Sequence, residues 1–308
     1  MGDYASILAA ELERTHDYRS EFVTGASVAS PAWRPPRVDA VVLHYVNYGY
    51  HPRGIPRWLP RKLEQLQKAG ARVVTIFHEL YASSSWRGSA FWLQPFQKRI
   101  AHAVAERSAV CIVSSATMAK SLRELSPAAR VLVRPVVSTF GEPTLSVEEV
   151  AVRDPQRWII CGGTELIRRS LRSFPGGVEL FVVGGADSPE IRERLDDAHY
   201  FPDVSAAKAS ELLAQSAYGW IDYFETADAP MAAILKSTSF AACCAHGVIP
   251  VFPSATATIA DRLPGPFTVA NLPSESARPA IAQATYDWYR DHASSTRLAE
   301  TVAEALES

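Results

Sequence analysis

Several things are missing from this chain, and each absence removes a class of protein. No apolar run reaches the 18 or so residues that a membrane-crossing helix needs. The opening Met1-Gly2-Asp3-Tyr4 is soon charged and does not read as a secretory signal. Only four cysteines occur, at 111, 161, 243 and 244, with no Cys-x-x-Cys or Cys/His ligand spacing. They read as buried thiols in a reducing cytoplasm, not as a disulfide framework or a zinc site. Charge of one sign is also lacking. The 31 basic residues against 33 acidic ones leave a net charge of −2, so no chain-wide positive field exists to hold nucleic acid or an anionic membrane. Gly-x-Gly-x-x-Gly and Gly-x4-Gly-Lys-Ser/Thr are both absent, which argues against a nicotinamide dehydrogenase and a P-loop triphosphatase. His78-Glu79 is followed by Ala82 where a zinc peptidase would need its second histidine, and there is no Asp-x-Asp. No metal and no cofactor are therefore expected. Low-complexity tracts and short repeats are missing too.

What is present is an ordinary globular composition, 47% hydrophobic and 21% charged, over 308 residues. At about 150 residues per domain this suggests two domains. The dominant rhythm is a short β-branched run, a turn, an amphipathic stretch, and then another run. It predicts strands at 38–45, 71–78, 110–114 and 131–133. Between them fall a helix over 58–69 with Gly70 as its cap, a helix on which Phe96, Ile100 and Val104 share a face, and a helix marked by Met118, Leu122 and Leu125. A loop rich in aromatics covers 81–94. The pattern breaks between Ser138 and Pro155, which reads as a linker. It then restarts, with strands at 158–161, 179–183, 199–201, 218–222, 248–252 and 267–270. Helices are expected at 164–173, 188–196, 205–216, 237–246, 255–262, 278–290 and 296–306. Alternating strands and helices imply parallel sheets covered on both faces. The expected fold is α/β, with two Rossmann-like domains facing across a cleft, 1–142 and 143–289, and a C-terminal helix at about 290–308 packing back on the first. Ligands in such sheets bind beyond the carboxyl ends of the strands.

In the second block, Lys236-Ser237-Thr238-Ser239 leads into a helix of small residues ending Ala245-His246-Gly247, followed by Val248-Ile249-Pro250-Val251. One of the three hydroxyl residues can cap the helix, leaving amide groups and a helix dipole that favour an anion, with Lys236 adding a full charge. The alternative is a capped core helix beside an exposed lysine. The strand Trp158–Cys161 runs into Gly162-Gly163, with Arg168 and Arg169 on the helix beyond. Glycines let backbone approach a ligand and an arginine fork can neutralise phosphate; the alternative is a solvated basic face.

These residues, in this order, resemble the donor-binding half of a GT-B glycosyltransferase, nearest to the large retaining group 1 (family 4-like). The likeness covers most of 155–255 and continues more loosely upstream. It implies that the loop at Lys236–Ser239 holds the donor's phosphates and ribose, and that Gly162, Gly163 and Arg168 or Arg169 face the diphosphate. One feature departs from the group. The Glu-x7-Glu carboxylates are missing, with Ile234 and Ala242 in their places. Glu225 and Asp228, after the strand Trp220–Tyr223, either stand in for one of them or face solvent.

In the first block, His44 and His78 each end a strand. Tyr48, Tyr50 and Arg53 lie on the loop after the first of them, and such residues suit stacking and hydrogen bonding with a sugar ring. His78-Glu79 resembles the strand-end His-Asp or His-Gly of the acceptor half, which implies that the histidine bonds the transferred sugar while Glu79 orients it or positions an acceptor hydroxyl. A structural role for both histidines is the alternative. The stretch from Ser83 to Phe96, with Trp86, Phe91 and Trp92, reads as an acceptor lid, as core aromatics, or as an apolar patch toward a lipid-linked acceptor at a membrane surface. Gly2-Asp3-Tyr4 before Ile7, Leu8 and Leu12 matches the tail of a glycine loop and its helix, with the preceding strand absent, and would place Gly2 at the cleft.

The expectation is a cytoplasmic, metal-independent glycosyltransferase. It would move a sugar from a nucleotide-diphosphate sugar to a glycan, lipid-linked or small-molecule acceptor, with no nucleic acid involved. Two alternatives stay open: a nucleotide-sugar binding or scaffolding subunit without catalysis, and a nucleotide-sugar epimerase, which would isomerise donor without an acceptor.

Overall fold

The computed structural model describes residues 2–82, 89–195, 198–224 and 229–308. The chain divides into two compact units, Met1–Arg134 with Leu298–Ser308, and Pro135–Arg297. Each is built on its own parallel sheet.

In the first unit, α1 (Gly2–His16) and α2 (Gly25–Ala29) precede β1 (Ala40–Tyr45), α3 (Asn47–Tyr50), α4 (Leu59–Lys68), β2 (Arg72–Phe77), α5 (Ser89–Ala105), β3 (Val110–Val113), α6 (Ala116–Leu125) and β4 (Val131–Val133). The strands lie in chain order, β1-β2-β3-β4, all parallel. Continuous β-branched runs form them because helices cover both faces. Val73, Phe77, Cys111 and Val113 are buried against Leu59, Leu63, Ile100, Val104 and Leu122 of the helices. In α1 the spacing of Tyr4, Leu8 and Leu12 turns one stripe inward, and all three are buried. The final helix, α13 (Ser295–Glu307), contributes its later turns to this unit: Arg72 donates to the Ala305 carbonyl and Arg134 to the Thr301 hydroxyl.

The second unit runs α7 (Val147–Ala151), β5 (Arg157–Cys161), α8 (Thr164–Ser173), β6 (Glu179–Val183), α9 (Pro189–Arg192), β7 (His199–Phe201), α10 (Ala206–Gln215), β8 (Tyr218–Trp220), α11 (Thr238–Ala245), β9 (Ile249–Val251) and α12 (Arg278–His292). Its sheet is ordered β7-β6-β5-β8-β9, again all parallel. The chain moves outward from β5 through β6 to β7, then returns to the other side of β5. That reversal opens a crevice at the carboxyl ends of β5 and β8, where ligands bind in sheets of this kind.

Four expectations need correction. The stretch 138–155 is not all linker: α7 forms in it, closed by a capping box in which Ser146 and Glu149 bond each other's backbone N–H groups. The helix expected at 255–262 is absent. Ile259 and Leu263 are buried at helical spacing, but Arg262 sits in the left-handed region and the Asp261 carbonyl accepts from Trp288 Nε1. Serine and threonine at 254, 256 and 258 disfavour helix as well. At 267–270 Phe267 makes one bridge to Val251 and the chain then enters a 3-10 turn over Val269–Asn271. The helix expected over 188–196 is the single turn Pro189–Arg192.

All four cysteines are buried and unpaired, and burial pushes the Cys111 thiol up to about 12. Among the described residues no helix is long and apolar enough to cross a membrane.

Candidate functional site

Three backbone features meet at the carboxyl edge of the second sheet. The first is the turn after β5. Gly162 has φ +140, a conformation L side chains rarely adopt, and a Cβ there would run into the Ser239 hydroxyl. The second is the turn after β6, where a Cβ on Gly184 (φ +94) would stand 2.7 Å from the Gly162 carbonyl oxygen. The third is the start of α11. Its Ser237 hydroxyl accepts from the Phe240 N–H at 3.3 Å, which leaves the Thr238 and Ser239 amides without an intrahelical acceptor. Ser239 is buried beside Gly162, and its carbonyl lies 3.8 Å from the Cys161 thiol.

Two helices begin at this edge. α8 starts after Gly163, which has no side-chain cap and open space where a Cβ would be. α11 follows a 3-10 turn over Met231–Lys236 that had no signal in the periodicity. That turn leaves Lys236 exposed, one residue before the cap of α11. Among the described residues Lys236 forms no ion pair. Uncapped amides, two helix dipoles and an ammonium group make an environment suited to an anion.

The arginines turn elsewhere. Arg168 Nε lies 3.0 Å from Glu190 of α9, and its Nη1 lies 3.6 Å from Glu165. Two carboxylates thus compensate its charge. Arg169 donates to the Tyr223 carbonyl at 2.8 Å, and the Asp222 N–H is held by the Ser170 hydroxyl. These bonds fix the segment after β8 as the far wall of the crevice. Glu225 and Asp228 lie outside the described residues. Ile234 and Ala242 are completely buried and belong to the core.

At the carboxyl edge of the first sheet the contacts are made by side chains. His44 pairs in register with Ile76, and His78 follows β2 with its N–H on the Tyr45 carbonyl. Both imidazoles therefore project from the same face of neighbouring strands. His44 Nδ1 and His78 Nε2 are 3.2 Å apart. The Tyr4 ring stands edge-on to both, with centroids 5.6 and 5.0 Å away. Burial disfavours the charged imidazole. It pulls His44 down to about 4 and His78 to about 3, the latter helped by its neighbour His44. Glu79 is exposed.

Around the pair the expected acceptor residues separate. Tyr50 is not presented to a ligand: its hydroxyl donates to the His44 carbonyl and its ring packs on Tyr45 and Trp58. Tyr48 is exposed, its hydroxyl accepting from Gln97 Nε2, and that same amide bonds the carbonyl of the exposed Arg53. Gln97, completely buried on α5, also accepts from the Ala82 N–H. It ties together the loops after β1 and β2, a role that sequence reasoning missed because glutamine on a helix usually faces water. Gly2 sits in the first turn of α1 with open space around it, so nothing there requires a glycine. Of the lid expected over Ser83 to Phe96, Trp86 lies outside the described residues, nothing is described of the Phe91 side chain, and from Ser89 the chain is α5, with Trp92 and Phe96 exposed.

No protein-family model matches the chain, and no curated protein matches it by sequence. Solved structures do match. A point mutant of TarM from S. aureus, in complex with Fondaparinux, alpha-GlcNAc-glycerol and UDP, aligns at 10% identity and TM-score 0.52, over 82% of this chain and 54% of that one. A UDP-forming alpha,alpha-trehalose-phosphate synthase from Burkholderia xenovorans aligns at 12% identity and TM-score 0.57, over 99% and 78%. AviGT4, a glycosyltransferase involved in avilamycin A biosynthesis, aligns at 13% identity and TM-score 0.50, over 92% and 76%. The chain spans about half the length of TarM. The fold is of the GT-B class, two Rossmann-like α/β units.

Proposed function

We propose that this chain is a glycosyltransferase that takes its sugar from a nucleotide-diphosphate sugar and passes it to a carbohydrate or other hydroxyl acceptor. The observation that carries the reading is the meeting of Gly162, Gly184 and the α11 N-terminus beside Lys236. In such a transfer the leaving diphosphate oxygen becomes anionic. Preorganised amides and an ammonium group aimed at that charge lower the barrier without a metal. The solved structures of like fold support the choice of donor, since one contains UDP and another enzyme is UDP-forming. In the first unit His44, His78 and Glu79 stand as the catalytic candidates, with Tyr48 and Arg53 at the surface as acceptor contacts.

The test is a thermal-shift panel of UDP, GDP, ADP and TDP on the wild type and on Lys236→Ala. A nucleotide at 100 times its Kd adds about 2.7 kcal/mol to wild-type stability. The variant is expected to keep its own Tm and to lose most of the ligand-induced rise. Equal rises in both proteins, or none in the wild type, would remove the phosphate assignment. Transfer is expected to persist in EDTA.

A second reading, a nucleotide-sugar binding subunit that does not catalyse, is favoured by the burial of Ile234 and Ala242 where carboxylates would act. Donor binding by calorimetry, with neither hydrolysis nor transfer over long incubation, would decide for it.

A further inference from the structure

The first unit carries a local charge that the composition of the whole chain hides. Residues 40–63 hold four arginines and lysines and residues 80–105 hold three, and neither stretch contains an aspartate or glutamate. The bordering carboxylates Glu64 and Glu106 pair with Lys68 and His102. The helices of these stretches, α4 and α5, follow successive parallel strands, so right-handed crossovers set them on one side of the sheet. Gln67 of α4 donates to the Arg107 carbonyl, just after α5, at 2.9 Å, which puts the two helix ends side by side. Counted back from there, Arg61 and Arg99 stand about 9 and about 12 Å along their axes, at nearly the same height. Gln97 holds the Arg53 carbonyl, so the loop leading to Arg57 lies against α5 beside Phe96. On α5 itself, Trp92, Phe96 and Arg99 share one exposed stripe, while Ile100, Ala101 and Val104 are buried on the other side. The Trp92 residue is 70% exposed and Phe96 45%, two large apolar rings standing in water. Two neighbouring ammonium groups lie over rings, Lys62 over Trp33 and Lys98 over Tyr81, at 4.9 and 4.7 Å. Arg57, Arg61 and Arg99 are exposed and, among the described residues, form no ion pair.

We propose that this face of α4 and α5 docks on an anionic lipid bilayer. The rings of Trp92 and Phe96 enter the boundary between headgroups and acyl chains, where an indole has apolar surroundings for its body and a polar partner for its N–H. The guanidinium groups of Arg57, Arg61 and Arg99 stay with the lipid phosphates while their stems lie along the apolar zone. Neither component suffices alone. Three charges give an attraction that salt screens, and two rings bury too little area to hold a chain in a bilayer. The rings are what select a bilayer over a soluble polyanion, since a phosphate polymer neutralises the arginines without taking the rings out of water. The contact is peripheral and needs no spanning segment. It concerns the first unit alone and stands whether or not the chain transfers a sugar.

The test is co-sedimentation of the full chain with vesicles of phosphatidylcholine, alone or with about one-third phosphatidylglycerol. The wild type is expected to bind the anionic vesicles and not the neutral ones. It is expected to come off as salt rises toward about 1 M, where the screening length falls to about 3 Å. Each arginine near such a surface is worth about fivefold in partition, so Arg57→Gln, Arg61→Gln and Arg99→Gln together are expected to cost about 100-fold. Trp92→Ser with Phe96→Ser is expected to cost at least about tenfold. All five side chains are exposed, so both variants are expected to keep the wild-type Tm. Should either lose it, tryptophan emission of the wild type in vesicles of brominated lipid decides, because entry of Trp92 among the bromines quenches it. Absence of binding to anionic vesicles, binding indifferent to either set of substitutions, or unquenched emission would overturn the docking. If the arginine variant loses vesicles and polyphosphate alike while the aromatic variant binds vesicles as the wild type does, the face is a soluble-polyanion site and the bilayer is excluded. Nucleotide-induced rises in Tm report on the second unit separately, so a failure here leaves the transferase reading untouched.

Discussion

The two sheets treat their carboxyl edges in opposite ways. In the second unit the strand order reverses at β5, so a crevice exists before any side chain is chosen, and glycine turns and helix starts line it with backbone amides. In the first unit the strands follow chain order without a reversal, and the same edge is filled by two imidazoles, a tyrosine ring and the buried amide of Gln97. Topology supplies backbone amides in one case, and side-chain chemistry supplies the polar groups in the other. The two kinds of group differ in chemistry, since amides stabilise charge without titrating whereas imidazoles exchange protons.

The sharpest way to break this contrast is Gly162→Val. The backbone at φ +140 and the Ser239 hydroxyl both exclude a side chain, so unfolding measurements should show a loss of about 3 kcal/mol or more, with nucleotide binding lost as well. Gly163→Ala, one residue on, meets open space at φ −76 and should change stability by less than about 0.5 kcal/mol.

Acid should weaken both units by way of histidines. His44 and His246 are held down to about 4 and His78 to about 3, against 6.5 for an ordinary imidazole. Below pH 6.5 the unfolded chain binds protons that the native chain does not. Stability is therefore complete above about pH 6.5 and is lost as pH falls toward 4 and below. Each histidine gives up at most about 1.4 kcal/mol for every pH unit separating its native value from its unfolded one. Urea midpoints against pH check this. The His44→Phe, His78→Phe double variant should retain only the part due to His246, whose ring bonds the Ser210 hydroxyl and the Ala242 carbonyl.

Lys236→Ala is next in size. It should lower transfer about 100-fold, the scale for removing one preorganised charge-stabilising group, while an exposed side chain costs the fold little. Arg168→Ala should do least. Its partners Glu165 and Glu190 are exposed, so the pairing contributes under about 1 kcal/mol, and nucleotide Kd should stay within about twofold. A large loss of affinity in Arg168→Ala would put the arginine back among the phosphate ligands.

The fold class was legible because it rests on periodicity. Runs such as Val110–Val113 have no polar face, and a parallel sheet between helices is what buries such strands on both sides. Sequence and structure part where local signals compete. At 255–262 the apolar spacing of Ile259 and Leu263 suggests helix, yet long-range burial alone produces that spacing in an irregular segment. The Ser146-x-x-Glu149 box is readable and marks a helix inside a stretch whose composition otherwise reads as linker.

Residue order along this chain decided which groups stand at strand ends: Gly162 after one strand, His44 and His78 after two others, Lys236 before a small-residue helix. It did so because strand and helix periods are local properties of five to fifteen residues. Which of those groups meet was decided only when the chain folded. The contacts of Gly162 with Ser239, of Arg168 with Glu190, and of His44 with His78 join residues tens of positions apart. Such contacts depend on strand order, register and side-chain direction, which no short window of sequence encodes.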